Sequence, residues 1–247
     1  MLLLRSLLFY CGMALSTLIF VPLSILLYPL NFALRFRIVS QWAVFNLFWL
    51  RHCCRLDHQI DGLDNIPEGP AIIMCKHQSA WETLALQFIF PAQVWVLKRE
   101  LLWIPIYGWG LAAMQPIAID RGSASRALRQ IVEQGCERLA QGLWVVIFPE
   151  GTRTAAGSRH KYQPGGGMLA SKSAYPVIPV AHNSGYFWPR NSIRKWPGTI
   201  HMVIGPAIDS NGKTAKEITR ETEQWIENTV STLPVPGNTL SPGEQEE

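Results

Sequence analysis

The sequence predicts an α/β protein, with a mostly parallel sheet flanked by helices and an N-terminal membrane-embedded helical segment before it. After about Leu56, short apolar runs alternate with helical and turn segments, which is the pattern of repeated strand–helix units. Residues 6–34 contain no charged side chain, which suits a lipid environment. Charged residues make up only 16% of the chain, below the roughly 25% of soluble domains. Part of the surface should therefore contact lipid.

The N-terminal segment, residues 1–55, is expected to form a membrane-associated helical hairpin or a transmembrane segment. Pro22 and Pro29 should interrupt the apolar run and leave a helix of about 24 Å, shorter than the ~30 Å core of a bilayer. A second apolar stretch covers residues 38–50. Basic residues flank both stretches, which favours a hairpin that enters one leaflet from the cytoplasmic side. A cleaved signal peptide fits less well, because the stretch is long and no clear cleavage site follows it.

Residues 56–233 are predicted to form one folded domain. Continuous apolar runs indicate strands that are buried on both faces. Residues 123–141 and 213–233 have the pattern of helices, and the tail from 234 to 247, rich in Pro, Gly and Glu, is predicted to be disordered. The predicted strands are Ala71–Cys75, Gln93–Leu97, Leu143–Phe148, Val177–Ala181 and Thr199–Ile204.

Charge and cysteine content narrow the function classes. The net charge of +4 suits an anionic membrane surface or a phosphate-bearing substrate, but many proteins share it. No nucleic acid is expected as a partner, because the basic residues form no long run and the aromatic residues concentrate in apolar segments. The five cysteines form no CxxC pair, which favours a reducing compartment. His52, Cys53, Cys54 and His58 lack the spacing of structural zinc sites, so no metal is expected.

The first candidate site follows the predicted strand Ala71–Cys75, where α/β sheets place their ligands. A histidine can take a proton from a hydroxyl near neutral pH, and a carboxylate on its other ring nitrogen fixes its tautomer and orientation. His77 and Glu82 could be that pair. In one regular helix they would point about 140° apart, so His77 must precede the helix and Glu82 must lie in its first turn.

Ser79 leaves the role of Glu82 open. The pattern Ser-x-x-Glu from Ser79 to Glu82 is a capping box, in which the glutamate serves only the start of the helix. A histidine before a helix start is also common. The motif by itself favours neither interpretation.

The second candidate site, Phe148–Arg153, also comes directly after a predicted strand. Gly151 lets the backbone approach a ligand closely, and Arg153 offers a planar fork that matches phosphate oxygens. Arg153 is therefore the first predicted phosphate ligand, although a plain strand-to-loop turn with a solvated arginine has the same composition.

Two further features are expected to be structural. Residues 165–167 are three glycines, but they lack the Gly-Lys-Ser/Thr of a phosphate-binding loop and follow no predicted strand. We expect them to form a flexible entry to a helix over residues 168–173. The aromatic side chains of Trp103, Tyr107 and Trp109 could line a tunnel for a hydrocarbon chain or contact lipid, but core packing is the first expectation.

These segments resemble the glycerolipid acyltransferases, and most of all the 1-acylglycerol-3-phosphate (lysophosphatidate) acyltransferases. Four motifs match in the order of the family and cover most of the chain after the N-terminal segment. They are His77–Glu82, Lys98–Leu101 with Pro105 and Gly108, Phe148–Arg153, and Val177–Val180. Glu82 departs from the commonest family pattern, His-x4-Asp. A glutamate keeps the carboxylate but adds a methylene, so the backbone must stand slightly further from the histidine.

The resemblance implies a mixed, mostly parallel sheet and a role for each matching residue. His77 would act as general base, and Glu82 would orient it. The residues implied to bind the substrate phosphate, or to shape the loop that binds it, are Lys98, Arg121, Glu150, Gly151 and Arg153.

The implied reaction joins a fatty acyl group to the sn-2 hydroxyl of lysophosphatidic acid and gives phosphatidic acid in phospholipid biosynthesis. The donor would be acyl-CoA or acyl-carrier protein. Because a thioester is already activated, no metal, other cofactor or covalent intermediate is required. The implied location is a membrane lipid surface, with the active site on the cytoplasmic face of a bacterial inner membrane.

Three alternatives to this interpretation can be compared with the sequence. The acceptor could be glycerol-3-phosphate, dihydroxyacetone phosphate or a lyso-aminolipid, because the motifs predict a phosphate site and do not measure the acceptor. A serine esterase would need a Gly-x-Ser-x-Gly turn, which the sequence lacks. A catalytically inactive membrane adaptor with the same fold has only the Glu82 substitution in its favour.

Overall fold

The computed structural model describes residues 1–120 and 122–236, and in these residues seven strands form one sheet. The strands are β1 (Leu56–Asp61), β2 (Ile72–Cys75), β3 (Gln93–Lys98), β4 (Ile117–Ile119), β5 (Trp144–Ile147), β6 (Val177–His182) and β7 (Gly198–Ile204). The helices are α1 (Leu2–Leu26), α2 (Phe32–Val39), α3 (Gln41–Cys54), α4 (Trp81–Ile89), α5 (Tyr107–Ala113), α6 (Ala124–Ala140), α7 (Gly165–Ser173) and α8 (Ala215–Thr232).

The sheet is mixed and mostly parallel, which confirms the predicted fold class. Its strand order is β1-β7-β6-β2-β5-β3-β4, and every neighbouring pair is parallel except β6 and β7. The five strands from β6 to β4 therefore all run in one direction. Their carboxyl ends lie at the same end of the sheet, where an α/β protein can gather residues from several strands.

Helices cover both faces of the sheet because the side chains of a strand alternate between its two faces. In β2, Ile73 and Cys75 pack into a core shared with residues of α1, α3 and α4. Ile72 and Met74 point the other way, into a core shared with α6, α7 and α8. All four residues of β2 are buried, as the continuous apolar run predicts.

The five predicted strands and the two longer predicted helices are all present, with ends that differ by one or two residues. The sequence analysis missed two strands. β1 lies at the margin of the sheet, has four polar residues among its six and is only partly buried, and β4 has three residues. Short or half-exposed strands carry little periodic signal. Of the predicted disordered tail, residues 237–247 lie outside the described residues.

The prediction that Pro22 ends the first helix is wrong. α1 continues through Pro22 to Leu26 and is long and apolar enough to cross a membrane, with a mean hydropathy of 1.9. Proline removes one helical hydrogen bond, but a helix can continue where its neighbours support it. α1 packs antiparallel to α3, with Ser16 near Asn46 and Leu8 near Trp49.

The glycines at 165–167 are not a flexible entry, because they form the first turn of α7 and are buried. A side chain at Gly166 would meet Met74 of β2, and one at Gly167 would overlap Ala215 and Thr219 of α8. The glycines thus let α7 pack closely on its neighbours. The predicted core packing of Trp103 and Trp109 is also wrong, since these side chains are 66% and 60% exposed.

Candidate active site

His77 and Glu82 lie next to each other at the carboxyl end of β2. α4 begins at Trp81, so His77 precedes the helix and Glu82 is in its first turn. The Nδ1 atom of His77 is 2.8 Å from Oε1 of Glu82. Because an ionised carboxylate can only accept, Nδ1–H is the donor and the other ring nitrogen, Nε2, keeps a free lone pair. That tautomer can accept a proton at Nε2.

Glu82 serves the helix start as well as the histidine. Its Oε1 also accepts hydrogen bonds from the backbone N–H groups of Gln78 and Ser79, each at 2.9 Å. The hydroxyl of Ser79 accepts from the backbone N–H of Trp81 at 2.7 Å. The two interpretations of this motif are therefore compatible, because one buried carboxylate contacts both the histidine and the backbone at the helix start.

Two further contacts fix the position of His77, one on the face of its imidazole ring and one at its backbone carbonyl. The ring of Phe148, directly after β5, stacks on it with centroids 3.8 Å apart and planes 12° apart. Thr154 donates to the carbonyl oxygen of His77 twice, from its backbone N–H at 2.7 Å and from its hydroxyl at 3.1 Å. The segment after β5 thus positions the histidine that follows β2, since β2 and β5 are parallel neighbours.

One cavity of about 990 Å³ connects the predicted site residues. Among the residues that line it are His77, Lys98 at the end of β3, and Glu150, Gly151 and Arg153 after β5. Of the other two predicted residues, Glu82 is buried and is not among the lining residues, and Arg121 lies outside the described residues. The imidazole and two of the predicted phosphate-binding cations therefore face a common space.

The walls of this cavity away from the charged residues are largely apolar. α1 contributes Phe20 and Val21, and α5 contributes Leu111. α6 contributes Leu128 and Ile131. The space next to the imidazole can therefore hold a hydrocarbon chain, and the N-terminal helix forms part of its wall.

Comparison with known proteins decides the family. A family model described as Acyltransferase matches residues 57–183. A 1-acyl-sn-glycerol-3-phosphate acyltransferase of Pseudomonas aeruginosa is 42% identical over 234 residues, which cover 93% of this chain and 91% of that protein. The chain belongs to this acyltransferase family. The resemblance that the four motifs indicated is thereby confirmed, and the chain is an enzyme.

More distant relatives agree with this acyltransferase assignment. The human 1-acyl-sn-glycerol-3-phosphate acyltransferase alpha is 29% identical over 154 residues, which cover 62% of this chain and 54% of the human protein. The chain spans about half the length of such eukaryotic relatives. The crystal structure of a 1-acyl-sn-glycerophosphate acyltransferase from Thermotoga maritima matches with a TM-score of 0.77 at 22% identity, over 93% of this chain and 95% of that one. This likeness shows the fold.

In this acyltransferase, Glu150 lines the cavity and also belongs to a buried ionic cluster. The ammonium nitrogen of Lys76 is 3.3 Å from Oε1 of Glu150 and 2.6 Å from Oε1 of Glu227 in α8. The hydroxyl of Tyr162 donates to Glu227 at 3.0 Å. Glu150 also accepts from the backbone N–H of His77 at 3.4 Å. This carboxylate therefore joins the two motifs, in keeping with the loop-shaping role that the resemblance implied.

The sequence analysis missed several residues of the acyltransferase site. Lys76 directly precedes the first candidate site and Phe148 opens the second, but neither was given a task. Tyr162 and Glu227 belong to no motif, and nothing in their local sequence distinguishes them from packing or surface residues. Only the fold brings Glu227 to Lys76, 151 positions away in the chain.

Proposed function

We propose that this acyltransferase moves a fatty acyl group from acyl-CoA or acyl-carrier protein to the sn-2 hydroxyl of 1-acylglycerol-3-phosphate, giving phosphatidic acid. The observation that carries the proposal is the shared cavity, in which a carboxylate-oriented imidazole faces the same space as Lys98 and Arg153. A base beside two cations suits an alcohol that carries a phosphate.

In the proposed reaction His77 moves a proton twice. Its Nε2 takes the proton of the acceptor hydroxyl while the oxygen attacks the carbonyl carbon of the thioester. Glu82 stabilises the resulting imidazolium through Nδ1–H. The tetrahedral intermediate then collapses, the carbon–sulfur bond breaks, and the thiolate leaves and takes the proton back from His77. No metal or other cofactor is needed, because the thioester supplies the activated acyl group.

The apolar walls of the cavity and the exposed apolar surface support a lipid substrate delivered from a membrane. α1 and α5 line the cavity, and nearby apolar side chains are exposed to the surroundings. They include Leu18, Ile19, Trp103, Ile106 and Trp109. Several large apolar side chains exposed beside a lipid-sized cavity are typical of membrane contact. In the proposal, these residues enter the bilayer and the active site faces the cytoplasm at a bacterial inner membrane.

An acceptor assay tests the substrate. Membranes that contain the protein are incubated with a labelled acyl-CoA, and in parallel with the same acyl group on acyl-carrier protein. The acceptors are 1-acylglycerol-3-phosphate, glycerol-3-phosphate, dihydroxyacetone phosphate and a lyso-aminolipid. We expect 1-acylglycerol-3-phosphate to be acylated fastest. A preference for glycerol-3-phosphate would show that the proposed acceptor is wrong.

Replacing the base tests the mechanism. His77→Ala should lower the turnover number by about 10²- to 10⁴-fold, the usual contribution of a general base, and should leave membrane binding intact. His201→Ala is the matched control, because His201 is a half-buried histidine of β7 outside the lining of the cavity. Turnover of His77→Ala at the parental rate would contradict the mechanism and would favour an adaptor or a different site.

A further inference from the structure

Only Oε1 of Glu82 contacts His77, while Oε2 accepts from the backbone N–H of Ser79 at 3.2 Å and from a residue that follows the fourth motif. The hydroxyl of Ser184 is 3.1 Å from Oε2 of Glu82, although the two residues are 102 positions apart in the chain. Ser184 is fully buried and begins a short 3₁₀ turn, Ser184–Tyr186, after β6. β6 contains the fourth family motif, Val177–Val180, to which the proposed reaction gives no task.

The sheet topology explains why these residues meet. β2 and β6 are parallel neighbours, with Cys75 opposite Val180, so the segments that follow the two strands run side by side. His182, at the end of β6, is fully buried and its Nε2 lies 2.7 Å from the carbonyl oxygen of Lys76. Lys76 directly precedes His77. The segment after β6 therefore contacts both the backbone before the histidine and the carboxylate that orients it.

The hydrogen-bond donors in this group can be assigned. The carbonyl oxygen of Lys76 can only accept, so Nε2 of His182 bears the proton. Burial lowers the pKa of His182, which keeps the ring neutral and leaves Nδ1 as an acceptor. The backbone N–H of Ser184 donates to that Nδ1 at 3.3 Å. The hydroxyl oxygen of Ser184 is also 2.9 Å from Nδ1, but the charged carboxylate is the stronger acceptor for its one proton.

We propose that Ser184, anchored by His182, is a positioning residue that holds the Glu82 carboxylate in the orientation that His77 requires. The inference rests on the proposed function of His77 as general base. A glutamate has one more rotatable bond than the commoner aspartate, and besides the Ser184 bond its Oε2 accepts, among the described residues, only a hydrogen bond of 3.2 Å from the backbone N–H of Ser79. The Ser184 bond, which comes from a different segment of the chain, further restricts rotation of the carboxylate. Small errors in the position of a catalytic group lower rates strongly.

The electrostatics of Glu82 agree with this geometry. Burial raises the pKa of the Glu82 carboxyl, whereas the hydrogen bonds from His77 and from the backbone N–H of Ser79 lower it. The net effect is a pKa below the ordinary value. Glu82 is therefore ionised at neutral pH and needs donors on both oxygens, since an unsatisfied buried charge is costly.

Ser184→Ala tests the role, because it removes the hydroxyl and almost no volume. We expect the turnover number to fall by about tenfold to a hundredfold, the usual effect of losing a hydrogen bond to a charged group beside a functional histidine. The KM values for 1-acylglycerol-3-phosphate and for acyl-CoA should stay unchanged, because Ser184 lies outside the lining of the cavity. Ser210→Ala is the matched control, since Ser210 is equally buried and its hydroxyl has no hydrogen-bond partner among the described residues.

A double substitution separates positioning from a general effect on structure. If Ser184 acts only through the carboxylate, adding Ser184→Ala to Glu82→Ala should change the remaining turnover by less than about twofold, because residues that act as a unit are not additive. The positioning role would be overturned if the double variant lost turnover by the product of the two single-variant losses. It would also be overturned if Ser184→Ala and Ser210→Ala had equal turnover numbers.

The parent protein and His77→Ala are assayed beside these variants. An active parent, an inactive His77→Ala variant and an unchanged Ser184→Ala variant would overturn the role of Ser184 alone. A parent without transfer activity, or a fully active His77→Ala variant, would overturn the proposed function and this inference with it.

Discussion

At the scale of single residues, the cations of the site differ in how firmly they are placed. Lys98 is exposed at the end of β3, whereas Arg153 is half-buried in the loop after β5. That loop turns at Gly151, whose φ of 70° lies in the left-handed region that favours glycine. Arg190 donates to the carbonyl oxygen of Arg153 at 2.7 Å and fixes the backbone there. Arg153 is therefore the better placed of the two to orient a phosphate.

Arg153→Ala should weaken acceptor binding more than it slows the chemical step. We expect the KM for 1-acylglycerol-3-phosphate to rise by about tenfold to a hundredfold, because a charge-assisted hydrogen bond to phosphate contributes roughly 1.5–3 kcal/mol. The turnover number at saturating acceptor should change little. Steady-state kinetics over a range of acceptor concentrations measure both quantities.

Arg129→Ala is the control for that substitution. Arg129 is an arginine of α6 whose side chain is 78% exposed and, among the described residues, pairs with Glu133 of the same helix alone. Its replacement should leave the KM unchanged. Equal KM values for the two variants would contradict the proposed role of Arg153 in binding the phosphate.

At the scale of elements, close packing of α7 determines how the layer opposite the N-terminal helices is built. α7 contacts both α6 and α8. Gly165 faces Ile131 of α6, and Gly167 faces Ala215 and Thr219 of α8. Because Gly165 and Gly166 also line the cavity, this packing affects the floor of the active site as well as the core.

Gly167→Ala should destabilise the fold, because its Cβ would overlap backbone and side-chain atoms of α8. Overpacking of this kind costs about 1–3 kcal/mol. Thermal unfolding in detergent measures the loss. Gly69→Ala is the control, since within the described part of the chain no heavy atom beyond the adjacent residues lies within 4 Å of the added Cβ, and it should change stability by less than about 0.5 kcal/mol. Equal melting temperatures for the two variants would show that α7 does not need glycine at 167.

At the scale of the whole molecule, the buried cluster of Lys76, Glu150 and Glu227 joins parts that are far apart in the chain. It connects the segments after β2 and β5 with the last helix, α8. Breaking a buried pair by removing one partner leaves an uncompensated charge and is usually strongly destabilising. The cluster therefore couples the stability of the fold to the geometry of the active site.

The cluster should also make stability depend on pH. Burial raises the pKa of Glu150 from 4.5 to about 7, although Lys76 opposes the shift. Between these pH values the folded protein binds more protons than the unfolded chain, so the free energy of unfolding falls as pH rises. The decline should reach up to about 3 kcal/mol across this window.

Glu150→Gln removes this titration and should abolish that part of the decline. The comparison is made by chemical denaturation in detergent at pH 5 and at pH 7.5, for the parent and the variant. Two proteins whose unfolding free energies change in parallel between these pH values would contradict the assignment.

Local patterns in the sequence were enough to predict most of the fold and the position of the central site. Continuous apolar runs predicted the five main strands, and the motifs directly after them predicted where His77, Glu82 and Arg153 lie. These predictions succeeded because strand burial and helix starts depend on residues that are neighbours in the chain. The same reasoning failed at Pro22 and at the three glycines, where contacts with other helices override local preference.

What the sequence by itself determined is the α/β class, the family and the placement of His77 and Glu82 around one helix start, since each depends on short-range order in the chain. Only the tertiary structure decided which distant residues complete the site. Ser184 contacts Glu82 across 102 positions, and Glu227 contacts Lys76 across 151. Such contacts depend on which strands and helices become neighbours, and that order is set by packing of the whole sheet and its two helical layers.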